Sequence, residues 1–110
     1  PPKPKQALAE RGNASANTLL KKVHSYVVNT GLALKQALVQ AINGQGGRAV
    51  GLSGKDAGLI TCIQTDPDLG FVGTPNKVNP QVLRDLAEKE YIPVIAPLGS
   101  GLNGETFTIN

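Results

Sequence analysis

The residues best equipped for chemistry are gathered in Ser53-Gly-Lys-Asp56: a hydroxyl, a cation and a carboxylate within four positions, with Gly51 and Gly58 two residues beyond either end. Backbone N–H groups of such a loop can cradle a phosphate while a lysine neutralises its charge. A phosphate loop of the Walker type requires Gly, four residues, then Gly-Lys-Ser/Thr. Gly54-Lys55 is present, but position 49 is Ala and position 56 is Asp. The hydroxyl that would hold magnesium is missing, and a carboxylate there would repel phosphate. The Walker reading fails. The loop reads instead as a connection between strands, its glycines supplying positive φ and its Lys55 and Asp56 standing in solvent.

Asp56, Asp66, Asp68 and Glu105 are the other acids that could pair for proton transfer or hold a metal. Only Asp66-Pro-Asp68 brings two together in sequence, and a turn explains that pair. His24 lies among Lys21, Lys22 and Ser25 and reads as a surface residue. Cys62 is the only cysteine, inside the apolar run Leu59-Ile-Thr-Cys-Ile63. It can form no intrachain disulfide and no cysteine-based metal site, and it reads as a small buried hydrophobe. Spacing alone names no catalytic residue and no metal ligand.

The elements that would position these groups change character along the chain. Residues 1–16 read as a poorly ordered lead-in with three prolines. Leu19, Leu20, Val23, Tyr26 and Val27 recur at helical spacing behind Asn17 as an N-cap, and a second helix is expected from a Thr30 cap. Its stripe is Leu34, Ala37, Leu38, Ala41 and Ile42, and Asn43-Gly44 ends it. Strands are expected over 49–52 and 59–63, with Gly70-Phe-Val-Gly73 pairing as a hairpin after the Asp66-Pro-Asp68 turn. Asn79-Pro80 opens a helix with Val82, Leu83, Leu86 and Ala87 facing the core. Tyr91–Ala96 follows as a strand, 99–104 as a loop, and 105–110 as a last alternating strand. This order predicts an α/β fold, with helices packed on a mixed, partly parallel sheet.

With 110 residues, 40% of them hydrophobic and only four aromatic, one modest aliphatic core is expected. The net charge of +3 is carried by the front of the chain, where Lys3, Lys5, Arg11, Lys21 and Lys22 face the single acid Glu10. Five cations without interleaved aromatics make a poor nucleic-acid footprint, and no apolar run is long enough to span a bilayer. Neither nucleic acid nor membrane is expected as a partner. Single-cysteine usage suits the cytoplasm. An unfinished sheet would also leave an edge and an apolar face, so a non-enzymatic interaction module is the competing reading.

Five segments recur in one order: Gln45-Gly-Gly-Arg-Ala-Val-Gly-Leu-Ser-Gly-Lys-Asp56, Asp68-Leu-Gly-Phe-Val-Gly73, Val78-Asn-Pro-Gln-Val-Leu83, Tyr91-Ile-Pro-Val-Ile-Ala-Pro-Leu-Gly99 and Gly104-Glu-Thr-Phe-Thr-Ile-Asn110. Together they resemble the N-acetylglutamate kinases of the amino-acid kinase family over about residues 35–110. Residues 1–34 carry no such match and read as a basic lead-in and helix, with 35–110 as a partial amino-acid kinase domain.

The resemblance implies ATP-dependent phosphorylation of the side-chain carboxylate of N-acetyl-L-glutamate in arginine biosynthesis, with magnesium, by a homo-oligomer. In such kinases glycine loops and a lysine near the front hold the phosphates, and an Arg-Val-Thr segment grips a carboxylate. An Asn-x-Asn-Ala-Asp segment follows, and a second lysine lies in the later half. None of the loops or lysines has a counterpart here, so the chain is expected to be a fragment inactive alone. The first Asn of that segment falls on Thr108 and the second on Asn110. Thr108 is the one candidate substrate-binding residue, keeping a hydroxyl but losing an amide's reach and second donor. An ordinary strand residue is the alternative there.

Overall fold

A computed structural model describes residues 4–110, with side chains for Lys22, His24, Ser25 and all residues from Val27 onward. Helix α1 runs unbroken from Pro4 to Gly44. The expected caps at Asn17 and Thr30 both lie inside it, as does the expected boundary between residues 34 and 35. The reason is a second apolar stripe. His24, Val28, Gly31, Leu32, Lys35, Val39 and Ile42 repeat every three or four residues and form the half-buried face, continuous past Thr30. A helix packed along this face on both sides of Thr30 gains nothing by stopping at a cap there. The stripe expected from sequence is offset from this one. Leu34 and Leu38 are 63% and 54% exposed, and only Ile42 of that set turns inward. The stripe formed by Leu19, Leu20, Val23 and Tyr26 lies outside the described side chains.

The helix ends in a Schellman motif. Gly47 N–H donates to the Ile42 carbonyl at 3.0 Å and Gly46 N–H to that of Asn43 at 3.1 Å, with Gly46 at φ +89°. Strand β1 (Ala49–Ser53) follows and pairs in parallel with β4 (Ile92–Ala96), in register Ala49 with Ile92 through Ser53 with Ala96. The chain between them forms the antiparallel hairpin of β2 (Ile60–Gln64) and β3 (Val72–Val78), then helix α2 (Gln81–Glu88). After β4 a second hairpin, β5 (Leu98–Ser100) and β6 (Thr106–Ile109), sets β6 parallel to β3 and β5 parallel to β2. The four hairpin strands close on themselves as a small barrel. The mixed, partly parallel α/β architecture expected from sequence is present, divided between two sheets. Leu98-Gly-Ser100, read partly as loop, is strand β5, because it finds partners in both β2 and β6.

Burial is concentrated at the barrel. Leu59, Cys62, Leu98 and Phe107 are buried there, and Ala49 and Ala96 between α1 and the parallel pair. Glycines permit the approach. A Cβ on Gly73 would stand 2.6 Å from Phe107 Cβ and 2.9 Å from Cys62 Cβ, and one on Gly99 would strike Cys62 Sγ. Burial pushes the Cys62 thiol above its ordinary range, in keeping with a packing role.

His24 departs from its expected surface position. Its ring lies 4.6 Å from that of Phe71, tilted by 44°, and fastens α1 to the turn before β3. Nothing local in sequence announces a contact between residues so far apart.

Three outcomes follow from this packing. Gly99→Ala should lower stability by about 1–3 kcal/mol in denaturant titration, because the added methyl has nowhere to go. Ala57 holds a left-handed conformation at φ +53°. Ala57→Gly should remove a cost of about 1–2 kcal/mol against about 0.4–1 kcal/mol of added chain entropy, a small net stabilisation in the same titration. Burial also holds the His24 imidazole below its ordinary value of 6.5. The unfolded chain therefore takes up the proton first as pH falls, and stability should decline from the ordinary value down through the lower folded one. Thermal melts across that window should show the decline, and His24→Phe should flatten it.

Candidate substrate-contact site beside β6

Parallel strands deliver their loops at the carboxyl ends, where α/β folds place ligands. The carboxyl ends of β1 and β4 lie side by side through the pairing of Ser53 with Ala96, and just beyond them Gly54 abuts the Leu98 carbonyl so closely that a Cβ could not be accommodated. This corrects the expected role of that glycine: close approach fixes it, and the positive φ values fall on Ala57 and Gly58. The loop is pinned from within. Ser53 N–H donates to Asp56 Oδ2 at 2.7 Å, and Lys55 N–H donates to Ser53 Oγ at 3.1 Å. Lys55 is half-buried rather than solvated, and its Nζ donates to Thr106 Oγ1 on β6.

Thr108 lies two residues further along β6, on the same face as Thr106 by strand alternation. It stands between two strands, paired with Leu98 of β5 and Val72 of β3. Its N–H donates to the Phe71 carbonyl at 2.8 Å, and its Oγ1 approaches the same oxygen at 3.2 Å. A carbonyl can only accept, so the hydroxyl is the donor. What Thr108 retains for a ligand is lone pairs. Thr108 and Asn110 also help line an open apolar hollow of about 350 Å³, flanked on the other side by Val27, Thr30 and Gly31 of α1. The wall contributed by α1 was not legible in sequence, since only the tertiary packing of that helix brings residues 27–31 to β6.

The acids expected as possible partners are not brought together. Asp66 Oδ1 accepts from Asp68 N–H at 2.9 Å, which is the turn expected from sequence. Glu105 Oε1 accepts from Asn103 N–H at 2.8 Å, and Asp56 serves Ser53. Each of these three carboxylates is engaged by nearby backbone, and among the described residues no three His, Cys, Asp or Glu side chains converge. This set does not fit a magnesium site. No described helix is long and apolar enough to cross a membrane.

The chain is similar to known proteins over most of its length. The amino acid kinase family model matches residues 5–110. The acetylglutamate kinase of Roseobacter denitrificans is 70% identical over 84 residues, covering 76% of this chain and 29% of that enzyme. That of Ruegeria pomeroyi is 61% identical over 92 residues, covering 84% of this chain and 30% of the enzyme. The chain thus spans a little under a third of the length of these relatives. The crystal structure of smu.665 from Streptococcus mutans superimposes with a TM-score of 0.59 at 25% identity, covering 86% of this chain and 37% of that one. With nearly its whole length matched by the family model and its fold shared, the chain belongs to the amino acid kinase family.

Proposed function

We propose that this chain is a central segment of an acetylglutamate kinase, which transfers the γ-phosphoryl group of ATP to the side-chain carboxylate of N-acetyl-L-glutamate. The observation that carries the reading is the 70% identity over 84 residues to an enzyme of that name. By the same likeness the whole enzyme would serve arginine biosynthesis in the cytoplasm as a homo-oligomer using magnesium.

Within this segment the role is substrate contact. Thr108, its hydroxyl hydrogen engaged by Phe71, presents lone pairs that suit a ligand N–H donor such as the amide of an N-acyl amino acid. The apolar hollow beside it suits an acyl methyl group. Lys55, held by Thr106, adds a cation on the side from which an anionic substrate would be drawn. Phosphoryl transfer between two anions depends on charge neutralisation around the moving group. Asp56, Asp66 and Glu105 are each engaged by nearby backbone, so this reading assigns magnesium and the ATP phosphates to other parts of the enzyme.

The isolated chain should therefore show no ATP- and N-acetylglutamate-dependent acyl phosphate, trapped by hydroxylamine as the hydroxamate. A chimera carrying its 84 matched residues in place of their counterparts in the Roseobacter denitrificans enzyme should restore that product. An inactive but folded chimera would count against the reading. In an active chimera, Thr108→Val should raise KM for N-acetylglutamate up to about tenfold, one hydrogen bond's worth, and Thr108→Ser should recover it. Unchanged KM in the valine variant would make Thr108 an ordinary strand residue.

A further inference from the structure

The pair Asn-Gly occurs twice, as Asn43-Gly44 at the end of α1 and as Asn103-Gly104 in the turn between β5 and β6. No other asparagine is followed by glycine. The pair carries its own chemistry. Glycine has no Cβ to hold its backbone nitrogen away from the preceding side chain, so that nitrogen can attack the asparagine amide carbon.

The fold treats the two pairs in opposite ways. At Asn43 both ends of the amide are engaged: Nδ2–H donates to the Ala49 carbonyl at 3.2 Å, and Oδ1 accepts from Ala49 N–H at 2.6 Å. Gly44 is the last residue of α1, where backbone N–H groups are committed to carbonyls four residues back. Asn43 cannot turn its amide carbon onto the Gly44 nitrogen without breaking its bonds to β1.

Asn103 has neither restraint. Leu102, Asn103 and Gly104 are all exposed, Leu102 by 79%. Asn103 N–H donates to Glu105 Oε1 at 2.8 Å, but its side-chain amide makes no hydrogen bond among the described residues. Apart from its chain neighbours, no atom lies within 4 Å of where a Cβ on Gly104 would stand, so the amide has room to swing over it. Gly104 N–H is held by the Gly101 carbonyl at 3.2 Å, a single bond at an exposed turn that opens readily.

We infer that Asn103 is a site of spontaneous deamidation and isoaspartate formation in the folded chain, and that the bonds from Asn43 to Ala49 spare the other pair. Hydroxide removes the Gly104 N–H proton and the nitrogen attacks Asn103 Cγ. The Cγ–Nδ2 bond breaks, and Nδ2 leaves as ammonia after taking a proton from water. Water then opens the succinimide. Breaking the bond from the Gly104 nitrogen to Cγ gives aspartate, and breaking the bond to the Asn103 main-chain carbonyl gives isoaspartate. Nothing is oxidised or reduced. Either product sets a new carboxylate beside Glu105 and lowers the formal net charge from +3 by one. Isoaspartate also inserts Cβ into the main chain between Gly101 and Glu105, which the Gly101 N–H joins at 2.8 Å to close the hairpin bearing Thr106 and Thr108.

Incubation of the 110-residue chain in mildly alkaline buffer, followed by peptide mapping with mass spectrometry, tests this. In the folded chain Asn103 should convert at least about tenfold faster than Asn43, giving aspartyl and isoaspartyl peptides as separate peaks. In denaturant the two rates should come together, since the dipeptides are the same. Asn103→Gln, whose extra methylene disfavours ring closure, should abolish the acidic form that accumulates from the folded parent. A folded-chain ratio of rates no larger than the ratio in denaturant would overturn the inference. So would an Asn103 that stays intact in the folded chain while the denatured chain converts.

Discussion

The close approach of four short strands around Cys62 is the constraint on which the rest of the molecule depends. Gly73 and Gly99 face the Cys62 and Phe107 side chains at separations no Cβ could occupy. Two hairpins separated by α2 and β4 can therefore close into one barrel, and burial is deepest where they meet. The barrel fixes β5 and β6, and β6 carries Thr106 and Thr108. The parallel pair β1 and β4 is joined to it through the contact of Gly54 with the Leu98 carbonyl. Remove either approach and the loop bearing Lys55 loses its relation to β6.

A compact monomer of this mass would expose about 5,800 Å², whereas the chain exposes 7324 Å². Part of the excess is apolar: Leu34 and Leu38 on the outer face of α1, with Ile92 and Ile95 on β4. The fold concentrates its packing where strands cross and leaves broad faces open. That distribution gives the chain little stability to spare.

Legibility in sequence followed locality. The strands at 49–53, 60–64, 92–96 and 106–109 were readable because β-branched runs bounded by turn residues encode them in a few positions. The Asp66 turn and the burial of Cys62 were readable for the same reason. Helix α1 was misread because two apolar stripes run along it, and only the sheet decides which one turns inward. The stretch containing Leu34 and Leu38 satisfied periodicity as well as the one containing Val28, Leu32 and Val39. Strand β5 was invisible in Leu-Gly-Ser, since its identity lies in its partners. At the site, motif likeness pointed to Thr108 and named Lys55 without a role. The bond from Lys55 to Thr106, the Phe71 carbonyl and the α1 side of the hollow all join residues distant in sequence. No local pattern carries them.

The central claim is that the fold fastens β6 to the turn before β3 through the Thr108 N–H and the Phe71 carbonyl, which sets the Thr108 hydroxyl beside the same oxygen. The through-hydrogen-bond scalar coupling between Thr108 N–H and the Phe71 carbonyl carbon, measured by NMR on the labelled chain, tests it directly. A resolved coupling, as the 2.8 Å bond requires, is the predicted result. No coupling, with Thr108 exchanging as freely as an unstructured amide, would contradict the account.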